Sequence, residues 1–320
     1  MPAFPVHTAP EIRAAVGVDD LLEPVAEALA AFSTVEGARA PISVLPLKNG
    51  GDAHLKAAYL PGMPHFVVKV ATWFPANRAL GLPEGGGFVA LLDARTGTVT
   101  AVLEDEHHLS DLRTAAAGAV SARALARPDA SRVTVMGTGR QARLQAHALT
   151  RVRGIDHVTV WGRTPEGAAR LVGQLREDLP DLPVEAVADP EAAVRDADVI
   201  ITATAGTSPV LRGDWLRPGQ HITALGADDE HKRELDAGVF ARATRIFVDG
   251  RDLNLRYGDV HAAVAAGEIT PDRITGELGE VLSGRTPGRR TSSDITLAKL
   301  IGIGPQDLAA AETAVALLTP

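Results

Sequence analysis

Ser131-Arg-Val-Thr-Val-Met-Gly-Thr-Gly-Arg-Gln-Ala142 is the stretch on which the reading of the chain turns. Arg132 to Met136 has the β-branched and apolar character of a short buried strand, Gly137-Thr138-Gly139 interrupts it, and Arg140 to Leu149 has a helix-forming composition. Strand, glycine turn and helix in that order aim backbone N–H groups and the positive end of a helix dipole at one point, which suits a pyrophosphate. Gly137 permits the tight turn, Gly139 lets the backbone approach a ligand, and Ala142 leaves room for helix against strand. Thr138, Arg140 and Gln141 complete this candidate dinucleotide loop. The bland alternative is a turn that binds nothing.

Context favours the ligand. His157 to Trp161, Asp198 to Thr204, His221 to Leu225 and Arg245 to Val248 read as further strands separated by helical stretches, the pattern of a doubly wound parallel sheet. Thr202, Ala203 and Thr204, at the carboxyl end of one of them, join the candidate cofactor contacts. The end of the second strand selects the dinucleotide. An acidic residue there would accept hydrogen bonds from the adenosine ribose, but this chain has Trp161-Gly-Arg-Thr164, and Arg163 with Thr164 can hold a 2′-phosphate. The expected cofactor is therefore NADP(H) in preference to NAD(H). Alternatively Thr164-Pro165 simply opens a helix, with Arg163 solvated in front of it.

With 320 residues the chain has room for two domains. Its 32 Lys and Arg against 40 Asp and Glu give a net charge of −8, which argues against a nucleic-acid partner. Cysteine is absent, so disulfides, thiolate catalysis and cysteine-ligated metals are excluded. No basic-then-apolar leader and no membrane-length apolar run is present, and a cytoplasmic protein is expected.

Ahead of the glycine turn the period differs. Asp19 can cap a helix bearing Leu21, Leu22, Val25, Ala26, Leu29 and Phe32 on one face. Ile42 to Leu45, Leu55 to Leu60, Phe66 to Ala71, Phe88 to Leu92 and Val99 to Leu103 read as closely spaced strands, with turn signals that include Gly85-Gly86-Gly87. Ser110 to Ala126 reads as an alanine-rich helix capped by Ser110, Gly279 to Arg290 as a loop, and Pro305 to Leu318 as a final helix with Ala309, Ala310, Ala314 and Leu317 available for packing.

Three polar residues interrupt these patterns. Lys69 sits in the apolar strand Phe66 to Ala71, either facing a polar cavity or solvated on an edge strand. Arg113 falls in the expected first helical turn, against the helix dipole, where it would bind an anion or pair with Asp111 or Glu106. Asp228 follows the strand His221 to Leu225, at the edge where ligands of parallel sheets lie; it is a candidate general base, or a cap for a helix near His231 to Leu235, a service Asp229 and Glu230 also offer. Lys48 and Lys56 are weaker candidate cations.

Leu112-Arg-Thr-Ala-Ala-Ala117, Gly137-Thr-Gly-Arg-Gln-Ala142, Ala224-Leu-Gly-Ala-Asp228 with Lys232-Arg-Glu-Leu235, and Gly276-Glu-Leu-Gly-Glu-Val281 with Gly284-Arg-Thr-Pro-Gly288 together resemble the ornithine cyclodeaminase/μ-crystallin family over nearly the whole chain. Lys69-Val-Ala71 with Asn77 to Pro83 is most similar to the branch found with ectoine utilisation and iminosuccinate reductases. The resemblance implies a homodimer whose Rossmann-type dinucleotide-binding domain, 126–302, is inserted into an α+β substrate-binding and dimerisation domain, 1–125 with 303–320. It also implies that Lys69 and Arg113 hold the substrate carboxylate and that Asp228 is the catalytic aspartate, with Lys48 near the place where the family often has an arginine. The expected activity is hydride transfer at the Cα of a small-molecule α-imino or α-amino acid. The alternatives are redox-neutral, ornithine-type cyclodeamination and a non-catalytic role in binding NADPH or another small ligand.

Overall fold

The computed structural model describes residues 4–47 and 50–319. Its first elements are β1 (Val6–Thr8), α1 (Ala9–Ala15), α2 (Leu22–Thr34), β2 (Ile42–Pro46), β3 (Asp52–Ala58), β4 (His65–Trp73), β5 (Gly85–Asp93), β6 (Val99–Glu104) and α3 (His108–Leu125). There follow β7 (Arg132–Met136), α4 (Arg140–Thr150), β8 (His157–Trp161), α5 (Pro165–Asp178), β9 (Val184–Ala186), α6 (Pro190–Asp196), β10 (Val199–Thr202) and β11 (His221–Ala224). The chain ends with α7 (Ala237–Arg242), β12 (Arg245–Val248), α8 (Arg251–Asn254), α9 (Gly258–Ala265), β13 (Gly276–Glu277), α10 (Leu278–Leu282), β14 (Thr296–Lys299) and α11 (Gly304–Leu318). It divides into two units, Met1–Thr114 with Ile303–Pro320, and Ala115–Gly302, so the boundary falls inside α3.

The first unit is built on a six-stranded sheet in the order β1-β6-β5-β4-β3-β2, antiparallel except for the parallel pair β1 and β6. One face packs against α11, whose Gly304 is pressed so closely onto β3 that a Cβ there would lie 2.6 Å from the Ala57 carbonyl oxygen. Ala58, Val67, Leu91, Ala101 and Leu103 are buried with Leu308, Ala311 and Ala314 in this unit's core. The other face carries Leu45, Leu55 and Phe88 with substantial exposure.

The second unit is an eight-stranded, wholly parallel sheet in the order β13-β12-β14-β11-β10-β7-β8-β9. The run β9-β8-β7-β10-β11 has the doubly wound order, with the chain reversing direction across the sheet between β7 and β10. The strands are buried almost throughout, because helices cover both faces of such a sheet. Arg153 donates to the carbonyls of Ala122, Arg123, Ala126 and Arg127, meeting the orphan acceptors at the end of α3.

Several local expectations are corrected. Gly85, Gly86 and Gly87 belong to β5, where Gly87 has φ +115° and a Cβ would meet the Val70 carbonyl oxygen. Helix α3 starts at His108 with the Asp105 carboxylate accepting from the Leu109 N–H, so Ser110 is inside the helix and Arg113 is in its second turn. Residues His231 to Leu235 form no helix; Asp229 accepts from the backbone N–H groups of His231 and Lys232. Asp19 opens a short 3₁₀ turn before α2, α10 occupies the start of the expected loop at Gly279, and Leu317 is exposed. Among the described residues no helix is long and apolar enough to cross a membrane.

Candidate functional site

In the first unit, Lys69 is buried on the interior strand β4, on the face that meets α11, which overturns the edge-strand alternative. Its Nζ donates to Asp307 Oδ1 at 2.6 Å and to Ser110 Oγ at 3.1 Å. Arg113, buried on α3, donates from Nε to the same Asp307 oxygen at 2.9 Å and from Nη1 to Gln306 Oε1 at 2.9 Å. Asp307, not Asp111 or Glu106, is thus the arginine's partner; Glu106 pairs with Arg13. Lys56 is buried on β3 directly across from Lys69, on the same sheet face. Lys48 lies outside the described residues.

The electrostatics follow from burial. Removal from water drives the Lys69 ammonium down to about 7; Asp307 opposes this, while Arg113 and Lys56 reinforce it. Burial would push the Asp307 carboxyl up, but Arg113, Lys69 and Lys56 outweigh it and hold the group well below the usual carboxylate range. Two polar atoms here are buried without a protein partner, Asp307 Oδ2 and Gln306 Nε2. Neither residue was legible in the sequence as part of a site, since an acid in the first turn of a helix is ordinary.

In the second unit, β7, the glycine turn and α4 form as the sequence predicts. Gly137 has φ +139°, and a Cβ would lie 2.3 Å from the Ala203 carbonyl oxygen, so only glycine fits. Gly139 is the N-cap of α4, and a Cβ there would meet nothing within 4 Å. The chain's own packing does not require glycine at that position, whereas a ligand drawn up to the helix N-terminus would. Ala142 is fully buried. The Thr138 side chain packs onto Gly162, where a Cβ would lie 2.3 Å from its Cγ2. Arg163 is exposed, and Thr164 accepts from the Gly167 N–H as the N-cap of α5.

At the carboxyl edge of β10 and β11, one buried carboxylate ties two loops together. Glu234 accepts from Thr202 Oγ1 at 2.8 Å, from Thr204 N at 2.6 Å and Oγ1 at 2.9 Å, and from Gly226 N at 2.7 Å. The Thr202 and Thr204 side chains are therefore committed to Glu234. Burial and the neighbouring Asp259 push the Glu234 carboxyl up, while Lys299 and these bonds pull it back. Lys299 is fully buried and donates to the Ala227 carbonyl at 2.7 Å, fixing the residue before Asp228. Asp228 is partly exposed and accepts from Lys232 Nζ at 2.6 Å. Among the described residues no group of three or more His, Asp and Glu could hold a metal ion.

The chain is similar to known proteins over nearly its whole length. A putative dehydrogenase of Rhizobium meliloti (strain 1021) is 41% identical over 318 residues, covering 99% of this chain and 96% of that protein. The structure of Thermococcus litoralis Δ(1)-pyrroline-2-carboxylate reductase with NADH and L-proline superposes with a TM-score of 0.91 at 27% identity, over 98% of this chain and 96% of that one. The iminosuccinate reductase of Paracoccus denitrificans with NAD+ superposes with a TM-score of 0.90 at 31% identity, over 98% and 95%. The family model for the ornithine cyclodeaminase/mu-crystallin family matches residues 5–315, and the chain belongs to that family.

Proposed function

We propose that this chain is a nicotinamide-dependent oxidoreductase acting at the Cα of an α-imino or α-amino acid, as an imino acid reductase or amino acid dehydrogenase. The observation that carries the reading is the buried cation pair Lys69 and Arg113 on a single carboxylate, in a chain whose glycine turn leaves α4 open at Gly139. Gly137 to Gln141 would hold the pyrophosphate, and the bound reduced cofactor supplies a hydride to the imine carbon. Lys69 and Arg113 bind the substrate carboxylate and so fix which face of Cα is presented. Asp228, held by Lys232, manages the proton that the imine nitrogen gains as the carbon is reduced, so one hydride and one proton convert imine to amine. The 1–125 and 303–320 segments would supply the substrate and dimerisation domain, and 126–302 the dinucleotide-binding domain.

Arg163, exposed at the end of β8 with no carboxylate in the ribose position, supports NADP(H) over NAD(H). NADPH is expected to bind at least about ten-fold more tightly than NADH, and Arg163→Ala to remove most of that difference. Asp228→Asn should keep cofactor binding, read by nucleotide fluorescence, and lose about a hundred-fold or more in turnover of keto acid and amine mixtures. Ammonia release from ornithine without net change at the nicotinamide band would instead establish cyclodeamination, and cofactor binding with no turnover of either kind a binding role.

The open face of the six-stranded sheet supports a homodimer. Leu45, Leu55 and Phe88 expose an apolar surface there, of a kind usually covered by a partner, and a second copy of this chain is the partner proposed. Leu55→Glu with Phe88→Glu should yield a monomer in sedimentation velocity, and an unchanged dimer would remove the sheet from the interface.

A further inference from the structure

We infer that Lys299 is a positioning residue of the reaction: its ammonium group sets the place of the Ala227 carbonyl and, through it, of the Asp228 carboxylate. The inference rests on the reading that Asp228 manages the substrate proton, and names the group that holds it in place. Lys299 is the last residue of β14, in register with Ala224, the last residue of β11, so it stands at the sheet edge from which the segment Gly226 to Asp229 departs. It is wholly buried and donates to the Ala227 carbonyl at 2.7 Å and to the Leu300 carbonyl at 3.1 Å, with Asp259 Oδ2 at 3.8 Å. An ammonium group offers three donors and no acceptor; here two of them hold carbonyls while the buried Asp259 carboxylate balances the charge.

Three separate groups hold the segment. The Gly226 N–H donates to Glu234 at 2.7 Å, the Ala227 carbonyl accepts from Lys299, and the Asp229 carbonyl accepts from the Gly258 N–H at 2.9 Å. Gly258, with φ +73°, opens α9 so close to the segment that a Cβ there would lie 2.4 Å from the Ala227 carbonyl oxygen. Between these restraints Asp228 keeps a partly exposed side chain, paired with Lys232. Asp259 in turn accepts from the Glu234 and Leu235 N–H groups at 2.7 and 2.9 Å, which joins Lys299 to the carboxylate at the cofactor edge. For packing alone, an apolar side chain of lysine's length at the end of a parallel interior strand would serve as well as a buried cation with its counter-ion. The charge is accounted for by what it fixes, a backbone carbonyl one residue before the proton-handling group, where a displacement of about 1 Å costs on the order of a hundred-fold in rate.

The test follows imine reduction in keto acid and amine mixtures, with nucleotide fluorescence alongside, on the full-length protein. Lys299→Met should lose about thirty-fold or more in kcat while KM and nucleotide affinity stay within about three-fold of wild type, because the residue acts on the place of Asp228 and not on binding. In the Asp228→Asn background the same substitution should cost less than about three-fold, since the group it positions is already gone. Lys299→Met also leaves the buried Asp259 carboxylate without its cation, so a second variant guards against misfolding. Gly258→Ala displaces the same carbonyl with every charge in place, and should lower kcat by about ten-fold or more. Wild-type kcat in a folded Lys299→Met or Gly258→Ala enzyme would overturn the inference. So would a Lys299→Met loss of the same size with and without the Asp228 carboxylate, which would place its effect elsewhere. Turnover that survives Asp228→Asn would remove the reading of Asp228 and the inference together. Turnover that collapses in Asp228→Asn yet persists undiminished in Lys299→Met would remove the inference alone.

Discussion

Asp307→Asn should destabilise the protein by about 3–5 kcal/mol, because it removes the carboxylate on which two buried cations converge. Lys69 and Arg113 are both almost wholly withdrawn from water, so neither recovers hydration when its partner is neutralised. Urea unfolding measures the loss, and Lys69→Met combined with Asp307→Asn should lose clearly less than the sum of the single variants, since both substitutions remove the same ion pair. A loss below about 1 kcal/mol would show that the cluster is hydrated and not a buried ion network. The pH dependence has a definite sign. Lys69 titrates near 7 in the folded chain and near its ordinary value when unfolded, so between these two points the unfolded chain holds the extra proton and stability from this group rises with pH. Asp307, held low in the folded state, contributes stability that is lost only under acid. Thermal unfolding between pH 7 and 9 should show the Lys69 rise, and Lys69→Met should flatten it.

Glu234→Gln is expected to cost about 2–4 kcal/mol in stability and to weaken cofactor binding by about ten-fold or more. The carboxylate accepts four hydrogen bonds, and an amide can accept on one terminal atom only. Either Thr204 N or Gly226 N then faces a second donor, and the loop that follows β10 separates from the one that leads to Asp228. Unfolding and nucleotide fluorescence measure the two effects. Stability lost without any change in nucleotide affinity would confine Glu234 to the core and remove it from the positioning of the cofactor edge.

Much of the second unit was legible because its signals are local. A strand of β-branched residues, two glycines and a helix specify β7, its turn and α4 without reference to distant residues, and the strands beginning at His157, Val199, His221 and Arg245 follow from their apolar runs. The first unit was less so. Gly85 to Gly87 look like a turn, yet they extend β5, because β4 pairs with them and Gly87 must let the Val70 carbonyl come close. Lys69 announced itself as a charge in an apolar strand, but its partner is 238 residues away, and no spacing rule reaches that far. Glu234 was hidden for a similar reason: three of its four donors lie about thirty residues away, at the end of β10 and in the loop that follows it. Arg113 stands out as a cation in what reads as a first helical turn; it lies in the second turn, where its contacts with Asp307 and Gln306 account for it.

Gly304 offers a means of redesign. Since a methyl group at 304 would strike both the Ala57 carbonyl and the Ala58 side chain, Gly304→Ala must lift the start of α11 off the strand, carrying Gln306 and Asp307 with it. An engineer could thereby widen the room available to bulkier acids while leaving every ionisable side chain unaltered.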